Sequence, residues 1–311
     1  MISINKNGYI VLYCFTVISL LYILLTPIDC NIQTDSALIA VMPSPITQIL
    51  PKNSGIYVLL STPSNGNSLF FITVRGSIRA LKLIDPSTTY TSPSMFAILD
   101  EQRFILLRPD INRIECRNYS GKLDWYYESS YTRWTIGPRR QGHAFIAVNS
   151  ETVVLYTRIL NVVRLIWINA LNGKVIKIVS PSTFKNNEVN EFGLGECKGM
   201  QLDDNGTLMI AFNSTLFCID KTIKVDSIKF SQPIIGLYKN DKILIATTTK
   251  KRIVDLFVIQ KNKKPHIITR IVSKEKDAKL MGISKNYCYF IFNTNDIWRI
   301  NRRETIFISA K

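Results

Sequence analysis

From about Ile46 onward, short apolar runs alternate with polar punctuation. Runs of four to eight residues rich in Ile, Val, Leu, Phe, Tyr and Thr are separated by Asn, Gly, Asp, Ser and Lys. No stretch sustains a 3.6-residue period, so the pattern predicts β-strands throughout. The runs fall into groups of four: 46–50, 55–61, 68–74 and 77–83; 95–99, 103–108, 112–117 and 122–127; 143–148, 152–157, 162–169 and 175–179. Three more groups follow at 198–202, 207–212, 215–219 and 225–230; 234–238, 242–248, 253–259 and 267–272; 280–284, 287–292, 296–300 and 304–308. First strands begin at 46, 95, 143, 198, 234 and 280, so the unit recurs every 36 to 55 residues. One four-stranded unit leaves both faces of its sheet uncovered, and stacking several round an axis buries them. The expected fold is all-β, a six-bladed β-propeller over residues 31–311. Residues 37–41 are a spare strand, expected either to close the ring against 305–309 or to begin an incomplete seventh blade. A β-sandwich gives no reason for strands to recur in fours.

Ahead of the strands, residues 9–25 are seventeen uncharged, mainly apolar positions closed by Thr26, Pro27 and Asp29. A membrane-crossing helix needs roughly 17–25 such residues and a signal-peptide core roughly 7–15. The expected element is one N-terminal hydrophobic helix, so residues 1–30 read as a signal peptide or an uncleaved signal anchor. Lys6 is the only side-chain cation before it and Lys52 the next one after, which places the body outside the cytosol. The expected location is extracytoplasmic, either secreted or held at the membrane through residues 9–25. Cys30 follows Asp29, a poor context for lipidation.

Charge sharpens this picture. The chain has 311 residues, 39 Lys+Arg against 23 Asp+Glu and a net charge of +16, with 46% hydrophobic residues that exclude a disordered protein. Residues 1–30 contribute one cation, Lys6, and one anion, Asp29, so the folded body keeps the whole excess. In a propeller the hairpins joining strands one to two and three to four share one face. That face collects Lys122, Lys174, Lys221, Lys224 and Lys285, together with Lys239, Lys242, Lys261, Lys263, Lys264, Arg302 and Arg303, and is expected to be strongly basic. It suits an anionic lipid surface; a merely solvated face that protects β-edges is the plainer alternative. The other face receives the long loops 128–142 and 180–197. Long loops on a rigid scaffold are where binding concentrates, and Trp134, Arg139 and Arg140, with His143 opening an inner strand at the channel mouth, suit a protein partner or an anionic glycan. A nucleic-acid partner fits the charge and conflicts with export.

Trp167-Ile-Asn169 followed by Gly173-Lys174, Ser120-Gly121-Lys122 followed by Trp125, and Cys218-Ile-Asp220 together resemble the repeat of quinoprotein-type (PQQ-like) propellers. In that family a small-x-Asp-x-x-x-Gly-Lys-x-x-Trp pattern links the last two strands, and the Trp docks on the neighbouring blade. Lys177 stands here where one such Trp would be, and the chain lacks the adjacent Cys pair of the full-length dehydrogenases. The resemblance implies the fold and no cofactor.

Catalytic constellations are sparse. The two histidines, His143 and His266, have no zinc-ligand spacing, and no metal or cofactor is expected. The leading expectation is a non-enzymatic binding or scaffold module. The alternative is a metal-dependent hydrolase or lactonase with its metal in the channel, which would need acids near the starts of inner strands, and the first residues of the inner strands include none. Cys197 and Cys218 should lie at opposite ends of one blade, too far apart for a disulfide, and Cys218 and Cys288 are expected in the core. Asn118, Asn205 and Asn213 open glycosylation sequons.

Overall fold

A computed structural model of the chain describes residues 36–64, 67–81, 94–108, 111–128, 143–159, 162–184, 192, 196–239, 243–250, 253–259, 264–273, 278–302 and 305–308. The 9–25 segment lies outside these residues, and no helix among them is long and apolar enough to cross a membrane.

Six sheets follow one another along the chain. Blade 1 is a meander of β2 (Ile46–Lys52), β3 (Gly55–Ser64), β4 (Asn67–Thr73) and β5 (Ile78–Ala80). Blade 2 is β6 (Met95–Ile98), β7 (Arg103–Arg108), β8 (Arg113–Asn118) and β9 (Leu123–Glu128). Blade 3 is β10 (His143–Val148), β11 (Thr152–Ile159), β12 (Val162–Asn169) and β13 (Val175–Val179), and blade 4 is β14 (Cys197–Leu202), β15 (Leu208–Phe212), β16 (Thr215–Ile219) and β17 (Val225–Lys229). Blade 5 is β18 (Ile234–Lys239), β19 (Ile243–Lys250), β20 (Ile253–Val258) and β21 (His266–Ser273), and blade 6 opens with β22 (Lys279–Ile283), β23 (Tyr287–Phe292) and β24 (Asp296–Asn301). The fold is a six-bladed β-propeller.

The two chain ends depart from expectation. The spare strand β1 (Ser36–Val41) neither meets the C-terminus nor begins a seventh blade; it pairs antiparallel with β24, from Ser36 opposite Ile300 to Val41 opposite Asp296, and completes blade 6. The C-terminal strand β25 (Thr305–Ile308) is not the fourth strand of that blade. It runs parallel to β21 as a fifth strand of blade 5, Arg270 opposite Thr305 and Ser273 opposite Ile308. After β24 the chain turns back along blade 5, and the vacated edge of blade 6 takes the N-terminal strand.

The core consists of six apolar clusters, one for each pair of neighbouring blades. Between blades 3 and 4 lie Tyr156, Leu165, Trp167, Phe212 and Phe217; between blades 6 and 1 lie Met42, Ile49, Val58, Tyr289 and Ile297. Strands buried on both faces explain why runs such as Val153-Val154-Leu155-Tyr156, all fully buried, show no alternation. Near the axis the inner strands crowd. A Cβ on Gly282 of β22 would stand 3.1 Å from the Ile49 carbonyl of blade 1.

Turns between the third and fourth strands share one device. Asn118 Oδ1 accepts from the Ser120 and Lys122 amides, Asn169 Oδ1 from Leu171 and Asn172, and Asp220 Oδ1 from Thr222 and Lys224. A side-chain oxygen thereby satisfies amides the ladder leaves open. Each turn then needs a left-handed residue, supplied by Gly121 (φ 88), Gly173 (φ 71) and, at a steric cost, the β-branched Ile223 (φ 67).

In blades 2 and 3 the side chain four residues past the left-handed glycine latches the turn to the next blade. Trp125 lies against Gly173, whose Cβ would fall 2.6 Å from the indole, and donates its Nε1–H to the Ala170 carbonyl of blade 3 at 3.0 Å. Lys177, at the corresponding place in blade 3, lies over the Trp167 ring at 4.5 Å and donates Nζ to the Lys221 carbonyl of blade 4 at 3.1 Å. Ala170 and Lys221 each follow the Asx residue of their turns. A lysine therefore makes the bond that an indole makes one blade earlier.

Inner strands are latched as well. Gln48 binds both the carbonyl and the amide of Phe96, at 3.0 and 2.8 Å, Gln201 donates to the Leu237 carbonyl and the Tyr238 hydroxyl to the Leu280 carbonyl.

Two predictions follow from this architecture. A chain beginning at Thr34 should unfold in one cooperative transition, whereas one beginning at Met42, lacking β1, should lose that cooperativity; thermal unfolding followed by circular dichroism distinguishes them. Trp125→Ala should cost about 3–5 kcal/mol in urea denaturation. Gly173→Ala should be damaging in the native chain and less so when Trp125 is already Ala, because its clash is with the indole.

Candidate functional site

The ring has two faces. One carries the turns from first to second and from third to fourth strand of each blade; the other carries the remaining connections and the channel mouth where inner strands begin. Of the residues proposed for partner binding, Trp134, Arg139 and Arg140 lie outside the described residues. His143 opens β10, its backbone opposite Arg158 of β11.

None of the inner strands β2, β6, β10, β14, β18 and β22 contains Asp or Glu. Among the described residues no group of three His, Cys, Asp or Glu side chains is placed to hold a metal ion. Lys198, near the start of β14, pairs with Glu196. His266 is exposed at the start of β21.

Cys116, Cys197, Cys218 and Cys288 are free thiols. Burial pushes Cys116, Cys197 and Cys288 up to about 12 and Cys218 up to about 11, so none is primed as a nucleophile. Cys218 is half-buried rather than a core residue, because the face of β16 it occupies is covered only in part by blade 5.

On the turn face, Lys239 reaches back to blade 4, donating to Asp204 at 2.8 Å and to the Leu202 carbonyl at 3.0 Å. Lys264 is exposed just before β21. Arg302 is half-buried and donates to the Ser284 carbonyl at 3.3 Å. Lys242, Lys261, Lys263 and Arg303 lie outside the described residues.

Acids on this face are more numerous than expected, and those among the described residues stand on blades 2 to 4. Asp100 and Glu101 lie in the first turn of blade 2, Glu151 in that of blade 3, Asp203 and Asp204 in that of blade 4 and Asp220 in the last turn of blade 4. The described turn residues of blades 5, 6 and 1 hold no acid; they hold Lys239, Lys264, Lys285, Arg302, Lys52 and Arg75. The face is therefore an arc of cations over blades 5, 6 and 1 facing a mixed arc over blades 2 to 4. Sequence reading passed over Lys52 and Arg75, although each stands next to a turn signal, Asn53-Ser54 and Gly76. The signal missed was the blade-by-blade tally of acids in the same turns.

Several of the acids act as turn caps. Burial raises the Asp100 carboxyl, but the amides of Gln102 and Arg103 and the Arg103 guanidinium more than offset this and hold it below the usual carboxylate value. Asp220 shows the same balance, with Thr222 and Lys224 as donors. A carboxyl whose pKa is depressed by folding contributes stability above its unfolded value and loses it as pH falls through the folded one. Stability should thus decline below about pH 4. Asp220→Asn, which keeps an acceptor of the kind Asn118 and Asn169 provide, should flatten that decline while leaving stability at pH 7 nearly unchanged; unfolding midpoints from about pH 2.5 to 7, a range that spans the ordinary carboxylate value, measure both.

No protein-family model matches the sequence, and no curated protein matches it. The structure is similar to that of a member of the DUF4221 family from Bacteroides vulgatus, with a TM-score of 0.54 and 12% identity over 87% of this chain and 99% of the other. It is similar also to a putative gluconolactonase, with a TM-score of 0.53 and 9% identity over 88% of this chain and 93% of that one. At these identities the likeness shows the shared propeller fold.

Proposed function

We propose that the protein is an exported β-propeller, held at or delivered across a membrane by residues 9–25, that serves as a non-enzymatic binding module for a macromolecular partner. The observation that carries this reading is the asymmetry of the turn face. A rigid ring holds a cationic arc free of acids among the described residues, and their inner strands bring no acids to the channel. The long loops 128–142 and 180–197 are the surface for a protein partner, with Trp134, Arg139 and Arg140 as anchors. The contact of Trp125 with Gly173 supports kinship with tryptophan-docking propellers of the PQQ-like kind, without the cofactor. The fold shared with a putative gluconolactonase keeps lactone hydrolysis as the alternative; the inner strands themselves contain no carboxylate, and Glu196, just ahead of β14, is paired with Lys198.

Crosslinking in intact cells tests the reading. The native chain should give a discrete crosslinked partner, and the combined Trp134→Ala, Arg139→Ala and Arg140→Ala variant should lose most of it while reaching the same cellular level. Lactone hydrolysis by the purified body with a stoichiometric metal ion would replace this reading with the enzymatic one.

A further inference from the structure

The last row of blade 6 shows where the N-terminal segment joins the ring. Ile283 stands opposite Cys288, Cys288 opposite Ile300 and Ile300 opposite Ser36. Ile283 is also the last residue of β22, immediately before the Ser284–Asn286 turn that carries exposed Lys285. The chain therefore enters β1 from the turn face, on the middle blade of the cationic arc. On the blade 1 side the arc is adjacent, since a Cβ on Gly76, next to Arg75, would stand 3.7 Å from the Ile39 carbonyl of β1. On the blade 5 side β25 follows Arg302 and pairs with β21, the strand that Lys264 precedes.

Two features thus coincide, the arc where the described turn residues are cations and the point where residues 1–35 attach. Between the end of the apolar segment at Leu25 and Ser36 there are ten residues, 26 to 35, which span at most about 35 Å when fully extended. If residues 9–25 are embedded in a bilayer, whatever lies at the attachment point is held close to head groups at high effective concentration.

We infer that the turn face over blades 5, 6 and 1, with Lys52, Arg75, Lys264, Lys285 and Arg302, is a docking surface for anionic phospholipid head groups, which seats the ring with its turn face toward the membrane. This rests on the membrane attachment proposed above and adds an orientation to it. The opposite face, where the inner strands begin, then points away from the bilayer. The electrostatic part is short-ranged, because screening at physiological salt acts over about 8 Å. Lys279, exposed at the opposite end of β22, is separated from Lys285 by six residues of strand and turn, roughly 20 Å if extended, and stays outside that range. One blade thus contains both the probe and its control.

The test uses the full chain reconstituted with vesicles of phosphatidylcholine alone or phosphatidylcholine with phosphatidylserine. Lysines are modified with an amine-reactive reagent and read one by one by mass spectrometry. The expected result is flotation with both vesicles. With phosphatidylserine, the reactivity of Lys52, Lys264 and Lys285 falls at least about threefold and is restored near 0.5 M salt, where the screening length is only several ångströms. Lys279 and Lys198 should react equally under all conditions. The paired exposed substitutions Lys264→Glu and Lys285→Glu, which touch no core residue, should abolish the protection of Lys52. Flotation without protection of the arc, or equal protection of Lys279 and Lys285, overturns the orientation and leaves the attachment standing. Failure to float with either vesicle overturns the attachment, and the orientation with it.

Discussion

The ring depends on one long-range pairing, that of β1 with β24. Every other blade is built on a local meander whose strands are joined by turns, blade 5 adding β25 as a parallel fifth strand, so its ladder forms at modest loop-closure cost. Blade 6 alone has to bring Ser36 to Ile300 and Val41 to Asp296, across nearly the whole length of the fold. The entropy of that closure grows only logarithmically with loop length, and it is offset by more than the ladder. The Met42 amide donates to the Asn295 carbonyl, the Asn295 side-chain Nδ2 donates back to the Met42 carbonyl, and Met42 is buried among Ile49, Val58, Tyr289 and Ile297. Closing the ring therefore also completes the cluster between blades 6 and 1. Without β1, both that cluster and the outer edge of blade 6 would be open to water.

Around the closed ring, stability is distributed through repeated interfaces rather than one centre. Each cluster is shared by two blades, and each is accompanied by polar latches at defined places, where the donor type varies and the acceptor does not. Trp125 and Lys177 address equivalent carbonyls of the next blade. For the lysine, burial pulls its ammonium below the ordinary value and Asp220 works in the opposite direction. A buried carboxylate is handled in a comparable way. Glu115, fully buried on the face of blade 2 toward blade 1, receives Arg117 Nε at 2.8 Å and lies within 3.6 to 3.9 Å of Arg113 and Arg108. Removing the acid would leave guanidinium groups facing an apolar cluster, and breaking buried pairs of this kind costs about 3–5 kcal/mol.

How much of this was readable beforehand follows from the range of each interaction. Strand positions and their grouping in fours were legible because strand character and turn chemistry are local. Asn169 and Asp220 were visible as repeat positions for the same reason, whereas Asn118 was not, its turn being one residue shorter before Gly121; the displaced tryptophan at Lys177 could be located though its substitute bond could not. The partners of β1 and β25 were not legible. Ala37–Val41 and Thr305–Ile308 are short apolar strands with no turn to fix what they pair with, and nothing in either sequence specifies an antiparallel place on blade 6 or a parallel one on blade 5. Cys218 illustrates a second limit. Periodicity assigned it to a strand correctly, but how far a neighbouring blade covers that strand is set by the packing of Leu216, Leu237 and Ile245 around it. The excess of cations over acids in the turns was countable in the sequence, where blades 2 to 4 hold most of the turn acids.

That division is not a requirement of folding. The turns need an oxygen acceptor near their start, and the chain satisfies this need with different side chains. Asp100, Asp203 and Asp220 serve on blades 2 and 4, Asn118 and Asn149 on blades 2 and 3, Ser284 Oγ on blade 6 and Thr73 Oγ1 on blade 1. An aspartate and an asparagine cap the same geometry, differing in charge and only slightly in stability. Each blade is therefore free to be acidic or neutral at its turns without altering the ring. Blades 1 and 6 use the neutral hydroxyl caps Thr73 and Ser284 beside Arg75 and Lys285. Among the described turn residues, blades 5, 6 and 1 hold no acid and do hold Lys52, Arg75, Lys264, Lys285 and Arg302. Because fold stability is indifferent to that choice, the cationic arc is better explained by what it faces than by what it holds together.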